Sequence, residues 1–280
     1  MNEQTDYSLS SILKKRDPDS HKGNHGHVLI MAGNRGKMGA AVIAAKACLR
    51  SGVGLLTVSV PIEERMILQI AIPEAMLIFR EHSINMNIFS AACIGPGLGI
   101  NEETNNWVGE FILQFNQPLL IDADALNIIA LNKSIEKIKT GTILTPHAVE
   151  FDRLFGTHTS HSERIETAIQ ISKKLYITIV LKGHHTLIAS CGETYVNHTG
   201  NAGLAKGGSG DALSGIICSF LAQGYSAFEA AKLGVYLHGR ASDIALNKQS
   251  MESMLITDVI DCLGDAFKEL TNSANLSLNK

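Results

Sequence analysis

The 280-residue sequence has no large excess of either charge, no paired cysteines and no long unbroken apolar run. A net charge of −3 argues against a nucleic-acid binder or a polybasic membrane-surface protein, since either needs a concentrated positive field. Five cysteines (Cys48, Cys93, Cys191, Cys218, Cys262) stand singly, with no Cys-x-x-Cys pair. They read as reduced core thiols of a cytosolic protein and supply no zinc site. No basic-then-apolar leader follows the polar start Met1-Asn2-Glu3-Gln4, so no signal peptide is expected. The greasiest stretch, Ala40 to Leu49, is short and carries Lys46, too little to span a bilayer. Linkers rich in Pro, Gly or Ser and internal repeats are missing, and only a tail over 272–280 is strongly polar. These absences predict one cytoplasmic domain over 1–280, with an N-terminal extension over 1–19.

What is present is core. Apolar residues make up 45% and charged residues 18%, enough to bury a large α/β domain. Short apolar runs alternate with amphipathic stretches. Strands are expected at His27 to Gly33, Val53 to Val60, Ala91 to Ile94, Leu119 to Asp122, Thr142 to Leu144 and Ile177 to Leu181. Helices follow at Gly39 to Arg50 and around Trp107, Phe111 and Ile112. Continuous apolar strands separated by helices predict a central, mostly parallel sheet with helices on both faces. After Lys182 an antiparallel hairpin is expected, Thr186 to Ala189 against Thr194 to Val196 across Cys191-Gly192-Glu193. Helices over Asp211 to Gln223, Ala227 to Asn247 and Ile256 to Leu270 complete the pattern. Ligands of open α/β sheets sit beyond the carboxyl ends of the strands. Gly- or acid-rich turns fall there at 33–39, 95–99, 122–124, 146–150 and 182–185.

The strongest local signal is Ala205-Lys206-Gly207-Gly208-Ser209-Gly210-Asp211. Its glycines let the backbone turn with N–H groups exposed, and a helix begins at once, its apolar positions Leu213, Ile216, Ile217, Phe220 and Leu221 at helical spacing. Amides at a helix N-terminus favour an anion such as a phosphate. Asp211 in the first turn is either a dipole-favoured acid or a base that takes the proton of a hydroxyl attacking phosphorus. No Gly-Lys-Ser/Thr ending makes this a Walker A loop.

With Asn197-His198-Thr199-Gly200-Asn201 before it and Val235-Tyr236-Leu237-His238-Gly239 after it, this segment resembles the ADP-dependent NAD(P)H-hydrate dehydratases of the ribokinase-like superfamily. Further matches keep the same order along the chain, over about Ser20 to Asp258. They are Ser20-His21-Lys22-Gly23, Gly39-Ala40-Ala41, Arg50-Ser51-Gly52-Val53-Gly54, Gly95-Pro96-Gly97-Leu98-Gly99, Asp122-Ala123-Asp124-Ala125-Leu126, Thr145-Pro146-His147 with Glu150, and Leu181-Lys182-Gly183.

The resemblance implies a ribokinase-like α/β fold and a hydro-lyase that uses ADP to dehydrate the S epimer of NAD(P)H hydrate, releasing AMP and phosphate. It implies that Asp211 is the base and that Gly208, Ser209 and Gly210 form the anion hole. Ala40, Gly97, His147 and Asp211 match hydrate-binding positions. Lys182, Gly183, His184, His185 and Thr186, together with Gly210, match AMP-binding positions. Mg²⁺ is expected, with Glu150 holding it through water or simply serving as a helix-start acid after Pro146. A homotetramer or larger assembly is expected, as is a separate epimerase, because about twenty residues before the first match are too few for a second domain.

Four constellations carry less. Asp122 and Asp124 end a strand together, Asp124 being the better cap for a helix from Ala125 and Asp122 the better site candidate. Gly33 to Gly39 has the wrong spacing for a dinucleotide fingerprint, leaving Arg35 and Lys37 for substrate phosphates. His25 with His27, and His184 with His185, lack the partners of a structural zinc site. Trp107 reads as core or interface. A small-molecule kinase of the same fold, such as a hydroxyethylthiazole-kinase-like transferase, is the alternative function, and a nucleotide-binding regulator without turnover is a third.

Overall fold

The computed structural model describes residues 9–80 and 82–277, the side chains of 273–277 aside. A nine-stranded sheet runs in the order β3-β2-β1-β4-β5-β6-β7-β8-β9. Its strands are β1 (His27–Met31), β2 (Leu55–Val60), β3 (Met76–Phe79), β4 (Ala91–Ile94), β5 (Leu119–Ile121), β6 (Ile143–Leu144), β7 (Thr178–Leu181), β8 (Leu187–Ser190) and β9 (Glu193–Val196). All pairs up to β6–β7 are parallel, and the β7–β8–β9 edge is antiparallel.

The central strands are buried because helices cover both faces. Val28 and Ile30 of β1 point into one buried cluster, and Leu29 and Met31 into the other. The first cluster is built with α1 (Met38–Arg50), α7 (Ser209–Ala222), α8 (Ala227–Ala245), α9 (Ile256–Asp261) and α10 (Leu263–Ser277). The second is built with α3 (Glu102–Gln114), α4 (Ala123–Leu131), α5 (Ala148–Phe155) and α6 (His161–Leu175). A short α2 (Arg65–Ala71) leads to the edge strand β3. α1 and α7 meet through small residues: a side chain at Gly215 would strike the Ala44 carbonyl. That close approach locks the middle of α7 against α1.

Several expectations shift. The sequence pattern did not single out β3, α2 or α6, and the helix expected over Ile256 to Leu270 is two, divided at Cys262. The segment beyond Asn272 continues helical to Ser277, and 278–280 lie outside the described residues. Within the N-terminal extension, Leu9 is fully buried and Lys14 N–H donates to Tyr225 Oη at 2.8 Å, so 9–14 pack on the body; 1–8 lie outside the described residues. Cys191 is exposed at the β8–β9 turn, unlike the other four cysteines, which are buried. Among the described residues no helix is long and apolar enough to cross a membrane.

Candidate active site

The order of the strands reverses between β1 and β4, and the loops that follow these two strands meet there. Gly33 N–H donates to the Pro96 carbonyl at 2.7 Å, and Asn34 Nδ2 donates to the Leu98 carbonyl at 2.7 Å. Gly97 adopts φ 65°, and a Cβ on it would lie 2.9 Å from the Ala40 Cβ. Ala40 and Gly97, both expected to bind substrate, thus form one wall at the switch point, the usual ligand crevice of such sheets.

The glycine run lies on α1 one turn further along. Gly208 adopts φ 93°, and a Cβ there would meet Ile43 Cδ1 at 2.6 Å. This left-handed turn, open to glycine, aims the first amides of α7 outward. Ser209 N–H is taken by the Lys206 carbonyl, and the first helical bond runs from Ala212 to Gly208 at 2.9 Å. The amides of Gly208, Gly210 and Asp211 donate to nothing among the described residues. They make a hollow of main-chain donors that can take up an anion.

Asp211 follows at once, partly buried and with no hydrogen bond or ion pair among the described residues. Burial pushes its carboxyl up to about 6, the Asp122 charge adding to the rise and Lys182 opposing it. A carboxylate that titrates near neutrality and keeps both oxygens free suits a general base.

Behind this hole lies a buried ionic chain. Asp122, 1% exposed, accepts from Lys182 Nζ at 2.8 Å on one oxygen and from Ser214 Oγ at 2.8 Å on the other. Lys182 Nζ also lies 3.8 Å from Glu150. Burial works to depress the Lys182 amine, but the Asp122 and Glu150 carboxylates outweigh it and hold the group above its ordinary value. The ammonium sits 3.3 Å from the point a Gly210 Cβ would occupy. Cation, amides and base therefore face one small volume.

Asp124 does not cap α4, whose N-cap is Asp122 and whose first residue is Ala123. Its carboxylate instead accepts from Gly99 N–H at 2.7 Å and lies 3.8 Å from Lys37 Nζ. Lys37, expected to meet substrate phosphates, thus faces an acid at the crevice, while Arg35 is exposed. His147 is the N-cap of α5: its Nδ1 accepts from Val149 and Glu150 amides, and Glu150 Oε2 accepts from the His147 amide at 2.9 Å. With Nδ1 accepting, the neutral ring carries its proton on Nε2, 3.4 Å from Glu150 Oε1. Glu150 is thus the helix-start acid of one expectation, and it is buried 3.8 Å from Lys182 Nζ.

Gly183 to Thr186 form the exposed turn from β7 to β8, closed by Thr186 Oγ1 donating to the Gly183 carbonyl at 3.2 Å. The His184 and His185 rings lie 4.3 Å apart, and His198 meets His185 at 5.0 Å. Lys182 joins this turn to the start of α7, so the residues expected to bind nucleotide run on to the glycine run. Sequence reasoning missed Ser214, whose only local signal is its place one turn beyond Asp211. It also gave His238 no separate role; this side chain is 6% exposed and its Nε2 has no hydrogen-bond partner among the described residues.

Among the described residues no group of three His, Cys, Asp or Glu is placed to chelate a metal. Glu150, with one oxygen spent on the His147 amide, fits a hydrated Mg²⁺ held through water rather than a directly ligated ion.

Mostly parallel sheet, switch-point crevice and glycine-rich helix start define an α/β protein of the ribokinase-like class. Hydroxyethylthiazole kinase of Pyrococcus horikoshii superposes with a TM-score of 0.63 at 13% identity, a likeness of fold alone. The family model described as NAD(P)H-hydrate dehydratase matches residues 28–264, and the chain belongs to that family. It is 37% identical to the ADP-dependent (S)-NAD(P)H-hydrate dehydratase of Neisseria meningitidis, covering 92% of this chain and 90% of that protein. The crystal structure of the ADP/ATP-dependent NAD(P)H-hydrate dehydratase of Bacillus subtilis, co-crystallised with ATP and Mg²⁺, superposes with a TM-score of 0.86 at 31% identity, over 95% of this chain and 97% of that one. The bifunctional NAD(P)H-hydrate repair enzyme of Moorella thermoacetica is 34% identical over 93% of this chain and 52% of its own length. The chain spans about half the length of such bifunctional relatives.

Proposed function

We propose that this chain is a hydro-lyase that spends ADP to dehydrate the S epimer of NAD(P)H hydrate, returning NAD(P)H, AMP and phosphate. The observation that carries the reading is the free Asp211 carboxyl beside three unengaged amides and the Lys182 ammonium. Family membership supports the substrate class.

The hydrate binds along the Ala40–Gly97 wall, with His147 at its margin, and ADP lies from the 183–186 turn toward Gly210. Asp211 takes the hydroxyl proton as the oxygen attacks the β-phosphorus, and the bond to the AMP oxygen breaks. The amides of Gly208, Gly210 and Asp211 hold the oxygens of the moving group, where charge develops. The ring nitrogen lone pair then expels phosphate from carbon, and loss of a proton from the neighbouring carbon restores the dihydronicotinamide. Mg²⁺, held by Glu150 through water, would supply charge neutralisation on the nucleotide phosphates. The chain acts in the cytoplasm as a homotetramer or larger assembly, and an epimerase activity must convert the R epimer to the form it accepts.

The test is to mix purified protein, Mg²⁺, ADP and NADPH hydrate. Recovery of reduced-nicotinamide absorbance in step with AMP formation is expected. A stable phosphorylated alcohol without that absorbance would establish the kinase alternative instead.

A further inference from the structure

We infer that Lys182 is the cation of the phosphoryl position rather than a contact to the nucleoside, and that Asp122 is the positioning residue that fixes it there by tying it to the helix that carries the base. This rests on the proposed phosphoryl transfer and adds the source of positive charge within the protein. Three distances carry it. Lys182 Nζ lies 2.8 Å from Asp122 Oδ1, and Ser214 Oγ lies 2.8 Å from Asp122 Oδ2. The ammonium stands 3.3 Å from the space over Gly210 Cα, in front of the α7 amides. Ser214 lies one turn beyond Asp211 on that same helix, so one carboxylate sets the spacing between base and cation.

The chemistry gives the pair a reason. Transfer forms a bond from the hydroxyl oxygen to phosphorus and breaks the bond to the AMP oxygen, while the proton passes to Asp211. Negative charge spreads over the equatorial oxygens, and a fixed cation there stabilises the transition state without exchanging a proton. A lysine tied only to solvent would wander through its rotamers. Asp122 is 1% exposed and spends both oxygens, so it holds the stem in one place and offers nothing to substrate. Glu150, at 3.8 Å, is the weaker second counter-charge.

Binding by calorimetry and turnover of the full chain test this together, with thermal melts confirming that each variant is folded. Lys182→Met is expected to raise the Kd of ADP about tenfold, leave that of AMP within about twofold, and lower kcat about 100-fold, in the range lost with one oxyanion donor. Lys182→Arg should recover about tenfold of that loss. Asp122→Asn should lower kcat about tenfold and move the acid limb of its pH profile downward, because the charge that helps raise Asp211 is gone. Ser214→Ala, the gentler variant, should show the kcat loss in smaller measure with the Kd of AMP unchanged. Equal weakening of AMP and ADP by Lys182→Met with kcat retained would overturn the assignment and make Lys182 a nucleoside-side contact. Wild-type kcat and pH profile in Asp122→Asn would overturn the positioning role. If the wild type does not regenerate NADPH, the dehydratase reading fails, yet the ADP-against-AMP comparison still decides where Lys182 acts.

Discussion

Gly97 and Ala40 meet at the β1–β4 switch so closely that a side chain on one would press on the other. A Cβ at 97 would stand 2.9 Å from the Ala40 Cβ and 3.1 Å from the Lys37 carbonyl, on a backbone with φ 65°. Gly97→Ala is expected to cost about 1–2 kcal/mol of stability through the positive φ and to raise KM for the hydrate about tenfold. Adding Ala40→Gly removes one of the two obstructions, so a double-mutant cycle should show coupling of about 0.5 kcal/mol or more. Additive effects would place the two residues on separate walls.

Gly210 poses the opposite case. Its backbone is helical and a Cβ there meets only the Lys182 ammonium at 3.3 Å and Asp122 Oδ2 at 3.7 Å. Gly210→Ala should therefore fold as well as the wild type or gain up to about 1 kcal/mol. The methyl nevertheless fills the phosphate cradle, and kcat should drop about 100-fold. Retained activity in a stable Gly210→Ala variant would show that no phosphoryl group sits there.

Asp211 is held at about 6 by burial first and the Asp122 charge second, against 3.8 for an ordinary aspartate. The native state thus binds a proton more tightly than the unfolded chain. The stability this confers is complete below pH 3.8 and lost as pH rises through 6. Asp211→Asn should stabilise the protein by about 3 kcal/mol at pH 8 and by nothing at pH 3.5, measured as urea midpoints, while abolishing turnover. In the wild type, kcat should rise with pH through about 6 as the base deprotonates. A variant that loses activity with no gain in stability at pH 8 would mean that Asp211 is not held in a desolvated place.

Much of this was legible in the sequence, for identifiable reasons. β4 and β5 are buried on both faces and read as unbroken apolar runs, as do β1 and β7 after a polar first residue, and the 191–192 turn marks the β8–β9 hairpin. The edge strand β3 is short and partly exposed, so it carries no strong period, whereas α6 has an apolar stripe (Ile165, Ile169, Leu175) that the sequence reading passed over. Asp211 and its glycines announce themselves because the whole device lies within seven residues. The Asp122–Lys182–Ser214 chain spans 60 and 92 residues of separation, which no local pattern encodes. Asp124 misled for a related reason: it has the look of a cap, but its partner is Gly99, 25 residues upstream.

His238 offers a test of the buried wall behind the site. It is 6% exposed on α8, its Nε2 has no hydrogen-bond partner among the described residues, and burial first and the Lys182 charge second depress the imidazole to about 4. An unfolded histidine titrates near 6.5, so between pH 6.5 and 4 the unfolded chain binds a proton that the native state refuses. The stability conferred by the neutral ring is complete above 6.5 and falls as pH drops toward 4, by roughly 3 kcal/mol in all. His238→Leu removes this titration and breaks no hydrogen bond at Nε2, so at pH 7.5 it should match the wild type within about 1 kcal/mol. At pH 5 it should be the more stable of the two by about 2 kcal/mol in urea melts. Parallel loss of stability in both proteins from pH 7 to pH 5 would mean that the imidazole protonates freely and finds a partner on the way.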